Sequence, residues 1–211
     1  MSKTTLYLIR HGETVWNTQK KLQGHLDSPL TELGKKQSMW LGEALLEEPL
    51  EIIYCSSSDR AYQTAELVCH GRKIEIVRCD ELKEMNLGVW EGLTQASAEA
   101  MDPEQFRRFW EAPSQFQVEN SERFEQVQER ALLKLREIIA RHQGQVIGVV
   151  SHTVVIKLLM AYFENRPLDK IWNPPYIHPT CLCKIEWTEG GSEIILHADI
   201  SHFKEDVPES S

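Results

Sequence analysis

Residues 146–163 read VIGVVSHTVVIKLLMAYF, and this stretch decides the fold. Its first part, Val146–Val150, is a continuous apolar run, which is typical of a strand that is covered on both faces. From about Thr153 to Phe163 the pattern is that of a helix. A second run without polar alternation, Leu6–Ile9, lies near the start of the chain. Both runs predict central strands of one sheet.

Short apolar runs alternate with helical patterns along the rest of the chain. The predicted strands are Thr5–Ile9, Glu51–Cys55, Ile74–Val77, Val146–Val150, Leu182–Trp187 and Glu193–Ala198. The predicted helices are Thr31 to about Glu47 with Thr31 as cap, a helix from a cap at Asp59 to about Cys69, a short helix between Pro103 and Pro113, Glu122 to His142, and Thr153 to Phe163. This alternation predicts an α/β three-layer sandwich with a mostly parallel central sheet.

The predicted sandwich forms one domain over residues 1–203. An aromatic-rich segment, Phe106 to Phe116, predicts a small helical cap excursion at about residues 100–120. The polar residues 204–211 predict a flexible tail.

Composition limits the classes of partner. The net charge of -9 argues against nucleic acid and anionic membranes, since both favour basic surfaces. No stretch approaches about 18 uninterrupted apolar residues, and the first residues lack a secretory pattern, so we expect a cytoplasmic protein. Five scattered cysteines favour reduced thiols over a disulfide framework. Neither cysteine nor histidine spacing indicates a metal site, and no cofactor is expected.

Reactive residues follow the ends of the predicted strands, where sites form in open α/β sheets. The residues past the first four strands are, in turn, Arg10, His11, Glu13 and Asn17; Ser56–Ser58, Asp59 and Arg60; Asp80, Glu81 and Glu84; and Ser151, His152 and Thr153. Histidines, arginines and carboxylates are therefore expected on one edge of the sheet.

This set suits phosphoryl transfer. Neutral imidazole is a nucleophile toward phosphorus near pH 7 and needs no metal. Guanidinium groups match the geometry of the oxygens of a phosphoryl group. Their positive charge, together with that of an imidazolium, offsets the negative charge of those oxygens. A carboxylic acid protonates the departing alkoxide. The predicted ligands are small phosphate esters.

Several ordered motifs resemble the histidine phosphatase superfamily in its phosphoglycerate-mutase-like branch. They are Leu8-Ile-Arg-His-Gly-Glu-Thr14 with Trp16-Asn17, Leu30-Thr-Glu-Leu-Gly34, Ser58-Asp-Arg-Ala-Tyr-Gln-Thr-Ala65, Leu82-Lys-Glu84 with Gly88-Val-Trp-Glu-Gly92, and Val150-Ser-His152. The resemblance covers about Thr5 to at least Phe163, and the order of the motifs makes it specific.

The resemblance also implies roles for individual residues. His11 is implied as the nucleophile, and Arg10, Arg60 and His152 as the groups around the phosphate. Glu84 is implied as the proton donor and later the base for water, although Asp80 and Glu81 lie close by.

Asn17 would donate to a phosphate oxygen, and Gln23 and Gly24 lie in a segment that touches substrate in relatives. Thr153 stands where many relatives have glycine and would donate a hydrogen bond or narrow the site.

Two enzyme activities and one binding function are compatible with the motifs. A phosphoglycerate mutase needs extra basic residues after the acid, whereas Glu84 is followed by Met85-Asn-Leu-Gly88. We therefore predict a phosphatase of broad specificity, like the broad-range bacterial phosphatases of this branch. A scaffold that only binds phosphorylated partners would be expected to lack His11, Arg60 or Glu84, and all three are present. The sequence does not predict an oligomeric state.

Overall fold

A six-stranded sheet organises the chain in the computed structural model, which describes residues 3–205. The strands are β1 (Thr4–Arg10), β2 (Leu50–Ser56), β3 (Glu75–Cys79), β4 (Val146–Ser151), β5 (Leu182–Thr188) and β6 (Gly191–Asp199). Their order is β3-β2-β4-β1-β5-β6. The first four are parallel, and β5 and β6 are added antiparallel. The prediction of a mostly parallel sheet is confirmed.

Seven α-helices accompany the sheet within the described residues. They are α1 (Val15–Thr18), α2 (Glu32–Ala44), α3 (Asp59–Cys69), α4 (Gln95–Met101), α5 (Pro103–Glu111), α6 (Phe124–Arg141) and α7 (Thr153–Phe163). Short 3-10 turns lie at Asp80–Leu82, Gly88–Trp90, Pro113–Gln115 and Leu168–Lys170. None of the helices in residues 3–205 has both the length and the apolarity to cross a membrane.

Alternating side chains of β1 divide the core between the two faces of the sheet. Leu6 and Leu8 pack in the cluster that includes α6 and α7. Tyr7 and Ile9 pack on the opposite face with apolar residues of α2 and α3. Because β1 is covered on both sides, its sequence carries no polar alternation. The three-layer arrangement expected from the sequence is thus confirmed.

One predicted cap is wrong. Asp59 was expected to cap α3, but it is the first residue of the helix, and Ser58 occupies the N-cap with extended backbone. Thr31 does cap α2, since its hydroxyl accepts from the backbone N–H of Gly34. The helices α1 and α4, both short, were not predicted.

The predicted cap excursion contains helical structure, and the first two residues of the predicted tail form ion pairs. The segment at about residues 100–120 contains α5 and the turn Pro113–Gln115. Of the predicted tail, residues 206–211 lie outside the described residues. Lys204 and Glu205 form ion pairs with Glu43 and Lys36, respectively.

Candidate active site

The register of β1 and β4 brings two histidines to the same edge of the sheet. Arg10 pairs with Ser151, and the backbone N–H of His11 donates to the Ser151 carbonyl at 3.0 Å. The rings of His11 and His152 are therefore neighbours, with centroids 5.1 Å apart, and both residues are buried. The juxtaposition expected from the strand ends is present.

A single contact fixes the tautomer of His11. Its Nδ1 lies 2.7 Å from the carbonyl oxygen of Gly12, which accepts but never donates. Nδ1 must carry the proton, so Nε2 keeps its lone pair. Burial lowers the pKa of His11 well below the usual value, and the charges of Arg60 and Arg10 lower it further. The geometry and the lowered pKa therefore favour a neutral imidazole at neutral pH, with a free lone pair on Nε2.

Arg60 is held in place by the loop that precedes α2. Its Nη1 donates to the Leu26 carbonyl at 2.8 Å and to Asp27 Oδ1 at 2.9 Å. Its Nη2 donates to the Gly24 carbonyl at 2.9 Å. These contacts keep a buried cation in the first turn of α3, where the helix dipole opposes it.

Both arginines retain a buried N–H group without an acceptor. Arg10 Nη1 donates to the Ile177 carbonyl at 2.6 Å, yet its Nε has no partner. Arg60 Nε is also buried and unpartnered. Such donors cost free energy when they stay unsatisfied. An anion with several acceptor oxygens therefore suits the buried cluster formed by Arg10, His11, Arg60 and His152, which we call the hollow.

His152 is a neutral imidazole in this arrangement. Its Nδ1 lies 3.2 Å from Arg60 Nη2, and a guanidinium only donates, so Nδ1 accepts and Nε2 carries the proton. Nε2 lies 3.4 Å from Ser58 Oγ. Burial and the charge of Arg60 lower the pKa of His152 well below its usual value. This arrangement favours a neutral His152 whose Nε2 can donate, whereas an imidazolium was expected from the sequence.

The carboxyl group of Glu84 lies at the start of α7. Its Oε1 accepts from the N–H of Met85 at 2.9 Å, and its Oε2 accepts from the N–H of Val154 at 3.2 Å. Burial raises the pKa of Glu84, although these two N–H groups oppose the rise. Arg130 fixes the backbone here by donating to the Glu84 carbonyl at 3.0 Å.

The two rival carboxylates have other surroundings. Asp80 is exposed and pairs with Lys83 at 3.0 Å, while Glu81 is half exposed and lies 4.0 Å from Lys134. The hydrogen bonds of Asp80 with Ser57 and Lys83 lower its pKa, which disfavours the protonated form that a proton donor needs. Glu84 is therefore the best-suited acid of the three.

Asn17 and Gln23 meet at the hydroxyl of Thr14. The Thr14 N–H and hydroxyl both donate to Asn17 Oδ1 at 3.0 Å, and Gln23 Nε2 donates to Thr14 Oγ1 at 2.8 Å. Gln23 Oε1 is buried and has no partner. Because Asn17 Oδ1 is occupied, the amide group that Asn17 has left for a ligand is Nδ2.

The other two predicted substrate-side residues are placed by their backbone. Gly24 contributes its carbonyl to Arg60. Thr153 is the first residue of α7, half-buried, and its hydroxyl makes no hydrogen bond within residues 3–205. In the same part of the chain, no group of three or more His, Cys, Asp or Glu side chains is arranged to hold a metal ion.

The sequence did not reveal two groups that hold the arginines. Asp27 pairs with the Arg60 side chain and also accepts from the backbone N–H of Asp59 at 2.6 Å. The Ile177 carbonyl fixes Arg10 from a loop far along the chain. A carbonyl has no sequence signal, and Asp27 lies in a segment without periodicity, so only the fold identifies them.

Comparison with known proteins agrees with this geometry. A sequence profile of the histidine phosphatase superfamily (branch 1) matches residues 6–200. Phosphoserine phosphatase 1 of Hydrogenobacter thermophilus is 34% identical over 80% of both chains. The adenosylcobalamin/α-ribazole phosphatase of Escherichia coli is 32% identical over 80% of this chain and 83% of that protein. The solved structure of Bacillus stearothermophilus YhfR is 46% identical, with a TM-score of 0.92 over 94% of this chain and 98% of that one.

Proposed function

Because this chain belongs to the histidine phosphatase superfamily, we propose that it hydrolyses phosphate monoesters through a phosphohistidine on His11. The observation that carries the proposal is the pairing of a free Nε2 lone pair on His11 with unpartnered, buried N–H groups on Arg10 and Arg60. A nucleophile for phosphorus and donors for phosphoryl oxygens thus share one buried hollow.

In the first step, His11 Nε2 attacks phosphorus while the bond to the ester oxygen breaks. Arg10 and Arg60 stabilise the equatorial oxygens, with His152 and Asn17 as further donors. Glu84, whose protonated form is favoured by the burial that raises its pKa, gives its proton to the departing alkoxide.

In the second step, Glu84, now a carboxylate, takes a proton from water. The oxygen of that water attacks the phosphohistidine, and the N–P bond breaks. Inorganic phosphate leaves, His11 is neutral again, and Glu84 holds a proton, as it did at the start. No metal or cofactor takes part in the proposed cycle.

Ion pairing supports a phosphatase over a mutase. A mutase needs free cations for a second anionic group, and the segment after Glu84 instead buries Met85 and Leu87 in the core. In the cap, Arg107 pairs with Glu104 at 3.0 Å and with Glu111 at 3.4 Å, and Arg108 pairs with Glu104 at 2.9 Å, so two carboxylates balance two cations. These cations are already neutralised, so they offer little to a second phosphate or carboxylate.

We infer broad specificity for small phosphorylated metabolites in the cytoplasm. Two relatives of similar identity are named for phosphoserine and for α-ribazole, so this level of identity is compatible with different leaving groups. Aromatic side chains of the cap, among them the partly exposed Trp110, contribute apolar area that accepts varied groups without charge selection.

Substitution of the nucleophile tests the proposal. His11→Ala is expected to lower kcat for p-nitrophenyl phosphate by about 10⁴-fold or more, because no other group can form the N–P bond. Rapid quenching of the wild type with radiolabelled substrate should trap an acid-labile, base-stable phosphoenzyme that H11A lacks. His70→Ala, at the exposed end of α3, is the matched control and should retain activity.

Turnover by H11A at more than a few per cent of the wild-type rate would refute the phosphohistidine. Transfer of phosphate between the two positions of glycerate phosphate, faster than release to water, would identify a mutase instead.

A further inference from the structure

Glu91 belongs to a motif that the proposed reaction leaves without a role. It follows the 3-10 turn Gly88–Trp90 and is half-buried. Its carboxylate accepts three backbone N–H groups: Oε1 takes those of His25 at 2.8 Å and Leu87 at 3.1 Å, and Oε2 takes that of Leu26 at 2.9 Å. Two of the three donors thus lie in one distant loop.

The same loop holds Arg60 from its other side. Its carbonyls at Gly24 and Leu26 accept from the Arg60 guanidinium, and the carboxylate of Asp27 pairs with it. Residues 24–27 therefore lie between the Glu91 carboxylate, which accepts hydrogen bonds from their N–H groups, and the Arg60 guanidinium, which donates hydrogen bonds to their oxygens. Hydrogen bonds to charged groups are strong, and each polarises the peptide in the direction that strengthens the other.

The fit between the loop and Glu91 requires a glycine. A Cβ atom at Gly24 would lie 2.2 Å from Glu91 Oε1, and the residue has a φ of +55°, which favours glycine. Gly24 is thus the point at which the loop approaches Glu91 too closely for any side chain.

We propose that Glu91 is a positioning residue that orients Arg60 toward the phosphoryl group by fixing loop 24–27. The inference rests on the proposed function, since it assigns to Arg60 the role of binding the transferring phosphate. Glu91 contributes no atom to the reaction. Its carboxylate fixes the acceptors that aim the guanidinium, and Arg60 in turn contacts His152.

A double-mutant cycle tests this chain of contacts. In Glu91→Gln an amide NH₂ replaces one acceptor oxygen and faces a backbone donor, so we expect kcat/KM for p-nitrophenyl phosphate to fall about 10- to 100-fold. The affinity for orthovanadate should weaken in parallel. In an Arg60→Ala background the same change should lower kcat/KM by less than about twofold, since the group it orients is gone.

A second variant reaches the same contact without altering the carboxylate. Gly24→Ala should displace the loop and reproduce the effect of E91Q, including its disappearance beside R60A, so the test survives if E91Q folds poorly. Asp169→Asn is the matched control. That carboxylate also holds a backbone N–H, of Ser114 at 2.9 Å, but in the cap, and activity should stay within about twofold of wild type.

Additive losses in the cycle would overturn the proposal, as would unchanged vanadate affinity in both E91Q and G24A. Either result would leave the phosphohistidine intact, because that assignment depends on the trapping experiment with H11A.

Discussion

The hollow around His11 and the cap formed by α4 and α5 are stabilised by different kinds of contact. In the hollow, several side chains are oriented by hydrogen bonds to backbone groups, such as His11 to Gly12 and Arg10 to Ile177. At the cap, aromatic rings pack against one another: the Phe109 ring lies edge to face with that of Phe116, 5.1 Å between centroids, and is tilted against that of Trp172 at 5.2 Å.

This difference indicates which region of the molecule tolerates substitutions and which does not. Hydrogen bonds to buried charged groups are directional, and losing one leaves an unsatisfied partner. Aromatic packing depends on area and shape, so it accepts apolar replacements that conserve volume at a lower cost. We therefore expect large and general kinetic effects from changes in the hollow, and smaller, substrate-dependent effects from changes in the cap.

Among further changes in the hollow and the cap, the largest effect is expected for Glu84→Gln, which keeps the shape of the side chain but cannot supply a proton. For alkyl phosphates kcat/KM should fall about 10²- to 10⁴-fold, whereas p-nitrophenyl phosphate should lose far less, because its phenolate departs without protonation. A series of leaving groups of graded pKa measures this. Glu81→Gln, the exposed neighbour, is the control.

The same variant has a pH signature. The pKa of Glu84 is raised, so the protonated acid persists to higher pH than an ordinary carboxyl group and is lost as pH rises through that pKa. For alkyl phosphates the alkaline decline of kcat/KM should thus be present in wild type and absent in E84Q. Burial lowers the pKa of His11, which keeps the nucleophile active below the usual pKa of imidazole. Equal slowing across leaving groups would remove Glu84 from the role.

The sequence predicted the residues of the hollow better than it predicted the groups that hold them in place. Continuous apolar runs identify β1 and β4, and parallel neighbours must end at one edge, so the meeting of His11 with His152 follows from the strand assignments. The role of Asp27 depends instead on a loop that folds back onto α3, and the sequence of this loop has no periodic pattern that would predict the contact. The lowered pKa of His152 depends on its burial and on the nearby charge of Arg60, and both follow from the fold and not from a sequence pattern.

Of the two cap helices, the sequence predicted α5 but not α4. The helix α4, Gln95–Met101, carries little apolar periodicity, since Ala98 is its one buried residue. In contrast, Pro103 and Pro113 bracket α5 in both the prediction and the structure, because proline at the first turn of a helix fits the helical backbone.

A change in the cap is expected to have a smaller effect. Trp110 is 37% exposed at the edge of the aromatic cluster, with its ring 4.7 Å from that of Trp172. Trp110→Ala should lower kcat/KM for bulky aryl phosphates about 10-fold through lost apolar contact, while small alkyl phosphates change less than about twofold. Trp40→Ala, which alters a ring near Phe203, is the control. Equal losses for both substrate classes would show that Trp110 supports the fold and not the leaving group.

The smallest effect expected is that of a chelator, and it tests whether the hollow is complete as built. In the proposed reaction Arg10 and Arg60 supply the charge for phosphoryl transfer, and the lowered pKa of His11 keeps the lone pair of its Nε2 available. Neither contribution requires a divalent ion. Dialysis against excess EDTA should therefore leave kcat/KM for p-nitrophenyl phosphate within about twofold of the untreated protein. A loss of activity that Mg²⁺, Mn²⁺ or Zn²⁺ restores would mean that the two arginines do not supply enough charge. The hollow would then not be complete without a metal ion, and the contrast with the adaptable cap would no longer hold.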